Sequence, residues 1–199
     1  MDFMFPIVPF LKKGLIPAIF LSLFVFSIPW SQVLTAKAAE VQEASPTSTE
    51  FKTYDGSKYG INVEYPSNWN ITEDASGVWF VSPVDQTGNV RIESQPSQNF
   101  SLSKSVQVQL LLAKNSYKGL DVVSTNMTTL DGTPANRTDY KFKLEFPKFL
   151  GTDVVDYSAI QISSIKGEKL YTLTYFSPAE SFYTFLPIVQ KMLSTLKIL

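Results

Sequence analysis

The chain has 199 residues, 17 basic and 18 acidic, with no histidine and no cysteine. Without histidine there is no Ser-His-Asp or Cys-His catalysis, no imidazole ligand for zinc, copper or iron, and no usual near-neutral proton shuttle. Without cysteine there is no disulfide, thiolate nucleophile, iron–sulfur cluster or lipidated N-terminal Cys, and a net charge of −1 gives no electrostatic case for nucleic acid or an anionic membrane.

Residues 15–30, LIPAIFLSLFVFSIPW, form an uncharged run preceded by Lys12 and Lys13 and followed by Ala36-Lys37-Ala38. A basic flank, an apolar core and small residues at the exit are the pattern of a secretory signal peptide, with cleavage after Ala38. The competing reading is an uncleaved N-terminal anchor. The run falls short of the ~20 residues a spanning helix needs, and Pro17 and Pro29 weaken a continuous helix. The expected organisation is therefore an address over 1–38, a flexible linker over 39–50 and one domain over 51–199. Removing the address leaves 14 basic and 17 acidic residues, a net charge of −3. A domain of this size needs no disulfide to bury a core. The expected location is extracytoplasmic, either secreted or tethered to the outer face of the cytoplasmic membrane.

Phe51-Lys-Thr-Tyr54 opens the domain as a short strand stopped by Asp55-Gly56. Ile61, Val63 and Tyr65 alternate with Asn62 and Glu64, the pattern of a half-buried strand. After a turn at Pro66-Ser67-Asn68 come Trp69 to Ile71, then Val78-Trp79-Phe80-Val81, a continuous apolar run expected in a central strand. Pro83 to Gly88 reads as a loop, and Val90 and Ile92 alternate again. The period then changes. Leu102, Val106, Leu110, Ala113 and Tyr117 fall on one helical face, with Ser101 as N-cap and Gly119 as the C-terminal stop. Val122-Val123 opens a strand toward Asp131-Gly132, a hairpin signal.

Tyr140, Phe142, Leu144 and Phe146 alternate with Lys141, Lys143 and Glu145, giving one apolar face and one charged face. In 153–164 the apolar phase slips between Ala159 and Ile160, which implies either a bulge or burial of both faces. Tyr171, Leu173 and Tyr175 make the next strand. Ser177-Pro178-Ala179-Glu180 has the form of a capping box, followed by the helical stripe Phe182, Phe185, Leu186, Val189 and Leu193. Pro187 is expected to split or kink that helix near Leu186. Thr195 to Leu199 is a last turn or an edge strand. Clustered strands with few helices imply an α+β fold, an antiparallel β-sheet with helices packed on it.

The run Tyr65-Pro66-Ser67-Asn68-Trp69, followed by Val78-Trp79-Phe80-Val81-Ser82-Pro83, resembles the start of the PsbP domain. The strand Leu170 to Tyr175, the segment Phe182-Tyr-Thr-Phe185-Leu186-Pro187 and the run Met192 to Lys197 resemble its end. The resemblance covers about 51–199 and implies an antiparallel sheet flanked by helices, an α/β/α sandwich. Known members of that family are lumenal extrinsic subunits of photosystem II that support the manganese–calcium cluster without being enzymes. The chain departs from photosystem members in lacking an organelle transit peptide, the Cys of the cyanobacterial lipid anchor, and any His for a carried-over metal site. The resemblance thus implies a fold and an accessory role, and no ligand residue.

Candidate chemistry is sparse. Glu73-Asp74 and Asp153/Asp156 are the carboxylates that could bind a hard cation such as calcium, but no EF-hand spacing accompanies them and solvated surface charge is the plainer reading. Otherwise no cofactor is expected. Ser163 and Lys166 match S-x-x-K, but at a strand end instead of a helix start, so as a chance match. Trp69, Trp79, Tyr171 and Tyr175 could line a pocket, though strand aromatics more often fill a core. Asn70, Asn99, Asn126 and Asn136 each begin an N-x-[ST] sequon, against roughly two expected by chance, and are candidate glycosylation sites. The expectation is a non-enzymatic accessory or assembly factor that docks on a membrane or extracytoplasmic protein complex. The alternative is a carrier for an apolar ligand such as a lipid, using a gap opened by Pro187.

Overall fold

The alternating segments pair into two antiparallel sheets. The computed structural model describes residues 50–84, 88–147 and 151–199, all within one unit, Ser45–Leu199. The signal segment and the linker up to residue 49 lie outside the described residues, as do the middle of the 83–88 loop and residues 148–150.

Strands β1 (Phe51–Gly56) and β2 (Ile61–Pro66) pair as a hairpin around a 3-10 turn, Ser57–Tyr59. A two-residue strand at the C-terminus, Lys197–Ile198, adds to the free side of β2 and completes a three-stranded sheet. The second sheet has seven strands. In chain order they are β3 (Asn70–Glu73), β4 (Gly77–Val81), β5 (Asn89–Pro96), β6 (Lys118–Leu130), β7 (Thr133–Pro147), β8 (Thr152–Lys166) and β9 (Lys169–Pro178). Their spatial order is β3-β4-β5-β9-β8-β7-β6. β4 is thus an inner strand, as its apolar run implies. The C-terminal strand is β10, and the helices are α1 (Leu102–Ser116) and α2 (Phe182–Thr195).

The helices lie on opposite sides of the large sheet, covering both faces of its buried inner strands. On one side, Phe182, Phe185, Val189 and Met192 of α2 meet Phe80, Ile92, Ile160, Leu173 and Tyr175 of the sheet and Ile61 and Val63 of β2 in the main core. On the other side, α1 packs on β6, β7 and β8. Tyr140, Phe142 and Ala159 form a smaller cluster there with Tyr117 and Leu144. The α/β/α arrangement expected from the sequence is present.

Several local expectations are corrected. Gly119 does not stop α1. The helix ends at Ser116, and Tyr117 turns extended, with its ring 4.3 Å from that of Phe142. Gly119 instead takes φ +62° at a register shift in β6. Ser177-Pro178-Ala179-Glu180 is no capping box, because Ser177 and Pro178 still pair with Ser158 and Tyr157 of β8, and α2 begins only at Phe182. Long-range strand pairing overrides the local cap signal. Pro187 does not split α2, which is continuous from Phe182 to Thr195. The carbonyl its missing N–H would have bonded belongs to Tyr183, and both residues lie on the exposed side of the helix, away from its buried stripe. In β8 the register runs unbroken to both neighbours and Ala159 to Ser164 are all buried, so the phase slip marks burial of both faces and no bulge. Phe146 is 41% exposed, because the strand outruns its cover.

α1 buries only Ser105 and Val106 fully, and a polar pin holds it down. Gln109 donates to Thr172 Oγ1 (2.8 Å) and accepts from Gln161 Nε2 and Ser163 Oγ (2.9 Å each). Those three sheet residues are buried. Gln109→Ala leaves buried donors and acceptors unmatched and is expected to cost about 2 kcal/mol. Hydrogen exchange in α1 should then accelerate ahead of exchange in β8 and β9; equal acceleration everywhere would show that Gln109 does not pin the helix.

Candidate functional site

Alternation along β7 puts Arg137, Asp139, Lys141, Lys143 and Glu145 on the same side of the sheet as α2. That helix lies against β2, β8 and β9, so the charged face of β7 remains open. Its charges fall in pairs, two across strands and one along β7 itself. Lys143 meets Asp156 at 3.6 Å, Lys118 meets Glu145 at 2.9 Å, and Asp139 takes hydrogen bonds from Arg137 Nε (2.9 Å) and Ser124 Oγ (3.1 Å). A groove of about 500 Å³ runs across this face, lined by Asp121, Lys141, Lys143, Asp156 and Ser158, with Tyr183 from the first turn of α2 as a wall. Exposed ion pairs of this kind add little to stability. They can exchange partners with the charged side chains of another protein.

The opposite face carries a row of rings. Tyr117 stands 4.3 Å from Phe142, Phe142 5.5 Å from Tyr157, Tyr157 6.2 Å from Phe176, and Phe176 6.0 Å from Trp79. Arg91 ends the row 4.6 Å above the Trp79 ring. Burial pushes the Tyr117 and Tyr157 hydroxyls above their ordinary pKa, so both remain neutral donors at physiological pH. The alternation in 140–146 reveals only one ring of this row, because the others come from different strands and from the end of α1.

No family model matches the chain, and no curated protein matches it. Solved structures do. The structure of PsbP from the cyanobacterium Synechocystis matches with a TM-score of 0.57 at 12% identity, over 80% of this chain and 99% of PsbP. The chain has the PsbP fold. Mog1p, a Ran-binding protein of Saccharomyces cerevisiae, also matches, with a TM-score of 0.52 at 10% identity, over 76% of this chain and 96% of Mog1p. At such identities the likeness is one of fold, and function has to be argued from the site.

Within the PsbP fold the candidate residues scatter. The Glu73 carboxylate takes hydrogen bonds from Tyr54 (2.8 Å) and Tyr59 (3.3 Å), whereas Asp74 turns to Arg91 (2.8 Å) and to the Ser76 and Gly77 amides. The two carboxylates thus diverge toward protein partners. Asp153 and Asp156 are an odd number of residues apart on one strand and project from opposite faces of the sheet. Ser163 is buried beneath Gln109, and Lys166 reaches the Ile198 carbonyl from the other face, so the S-x-x-K match brings no pair together. Trp69, Tyr171 and Tyr175 are core, with Tyr175 donating to the Phe182 carbonyl at 2.6 Å and burial pushing its pKa up to about 12. Only Trp79 is half-buried. Asn70, Asn99 and Asn126 are exposed, whereas Asn136 is half-buried and accepts from Thr138 Oγ1 at 3.1 Å. Among the described residues no helix is long and apolar enough to cross a membrane.

Proposed function

We propose that this chain is an exported, non-enzymatic domain that docks on a membrane or extracytoplasmic protein complex as an accessory or assembly factor. The observation that carries this reading is the fold match over nearly the whole of cyanobacterial PsbP. Mog1p, described as Ran-binding, supports the use of this fold for protein–protein contact. The signal-like pattern of 1–38 supports export, and the lack of histidine and cysteine supports binding over catalysis. The paired charges of β7 and β8 around the Tyr183 groove supply the docking face. The calcium and glycosylation readings stay secondary: the carboxylate pairs diverge, and Asn70, Asn99 and Asn126 have the exposure that glycosylation requires.

The carrier reading needs a gap beside Pro187. α2 is unbroken there, Pro187 is exposed, and Val189 and Met192 beneath it are at 0% exposure. The docking reading therefore has the better footing.

Affinity capture from the membranes of the producing cell tests it. The chain should recover a stoichiometric partner, and the double substitution Lys141→Glu, Lys143→Glu should reduce recovery at least tenfold. A chain that stays monomeric and partnerless under gentle crosslinking would overturn the proposal.

A further inference from the structure

β6 ends the seven-stranded sheet, and no described strand lies beyond it. Exposed edges invite pairing with other strands, and proteins usually blunt them with charge, proline, bulges or brevity. The other end of this sheet, β3, is only four residues long and ends on Glu73. In β6 the protection is confined to the first half: Lys118 and Asp121 lie there, and register shifts fall between Lys118 and Asp121 and between Val122 and Ser124. From Ser124 to Leu130 the strand pairs regularly with β7 and reads STNMTTL, with no charge, proline or glycine. That leaves about 24 Å of unprotected edge. Met127 at its centre is 70% exposed.

This edge is also held in place. The following turn, Asp131-Gly132, has positive φ at both residues (48° and 72°). Asp131 accepts from Lys197 Nζ and from the Ile198 amide, each at 3.0 Å, and Ser164 Oγ donates to the Pro134 carbonyl at 2.9 Å. The strand end is therefore clamped to the C-terminus before any partner arrives.

We propose that Ser124–Leu130 pairs antiparallel with the same segment of a second copy of this chain, joining two seven-stranded sheets into one. A twofold axis normal to the sheet pairs residues that share a face, and centring it on Met127 uses the whole unprotected segment. Thr125 then faces Thr129 of the second copy, Asn126 faces Thr128, and the two Met127 side chains meet. Thr–Thr pairs are favourable cross-strand neighbours, and no like charges oppose one another. A charged partner peptide would find no counter-charge on this edge, whereas the segment is complementary to itself.

The chain's lack of cysteine makes the register measurable. Sedimentation of the full chain in a mild non-ionic detergent should show a monomer–dimer equilibrium that Met127→Lys weakens at least about fivefold, by placing like charges on the axis. Under mild oxidation Met127→Cys should crosslink to itself. Thr125→Cys and Thr129→Cys should crosslink with each other when mixed and neither alone, since the bond forms only between close Cβ atoms. Circular dichroism confirms that each variant is folded, and these sites are on the rim and outside the core. A monomer at all concentrations would overturn the proposal. So would a dimer that ignores Met127→Lys and lacks this crosslinking pattern, such as one held by the apolar N-terminal segment.

Discussion

Phe80→Ala lowers the unfolding free energy by about 4 kcal/mol, the cost of removing a large ring from a site that cannot collapse. Phe80 is fully buried on β4. Its ring lies 5.5 Å from that of Tyr54 on β1, edge to face, and 5.2 Å from that of Tyr65 on β2. It therefore joins the two sheets as well as filling the core between them. Urea titration should show a lower midpoint with an unchanged slope if the sheets still unfold together. A lower slope would mean that the three-stranded sheet has come loose while the seven-stranded sheet persists. Phe80→Leu, which keeps most of the volume, should lose far less.

Arg91→Ala is expected to cost about 2–3 kcal/mol. The guanidinium donates to Asp74 Oδ2 (2.8 Å), Glu93 Oε2 (2.6 Å) and Ser76 Oγ (2.8 Å), and covers the Trp79 ring. Its side chain is only 15% exposed. Removing it leaves two carboxylates without their cation, a loss of about 3–5 kcal/mol for a fully buried pair, reduced here because both carboxylates still reach water. Arg91→Lys keeps the charge but not the fork, and should fall between. The same cluster sets an acid limit. Burial works against ionisation of Asp74, but hydrogen bonds from Arg91 and from the Ser76 amide and hydroxyl outweigh it and hold its carboxyl well below the usual carboxylate range. A carboxylate whose folded pKa is depressed stabilises fully above its unfolded pKa, near 3.9, and that contribution disappears as pH falls through the folded value. Stability should therefore decline below about pH 4 in the native chain, and less steeply in Arg91→Ala. An unchanged acid slope in the variant would remove Asp74 from the account.

Glu73 and Asp74 show how far a sequence can lead toward a site. As neighbours they look like a ligand pair, but in the fold one turns to two tyrosines and the other to an arginine seventeen residues away. The charged face of β7 was legible from simple alternation, because in a strand side-chain direction has period two. The groove beside it was not, since Tyr183 reaches it from a helix whose position depends on the whole core.

What the sequence by itself determined is whatever short-range chemistry decides. Ser101 caps α1 because its hydroxyl is within reach of the Lys104 amide. Asp131-Gly132 makes the hairpin because both residues tolerate positive φ. Residues 140–146 make a two-faced strand because their polarity alternates, and the resemblance of 51–199 to PsbP, read from packing and turn motifs, named the fold that the structure shows. Tertiary structure decided the rest wherever a local preference met a stronger long-range partner. Tyr117 leaves the helix for Phe142, Ser177 leaves its cap for β8, Pro187 keeps its place because α2 is held by its buried face, and Gln109 finds three partners 52 to 63 residues away. A cap is worth about 1 kcal/mol, whereas a well-packed core or ladder position is worth several, so the distant contact prevails.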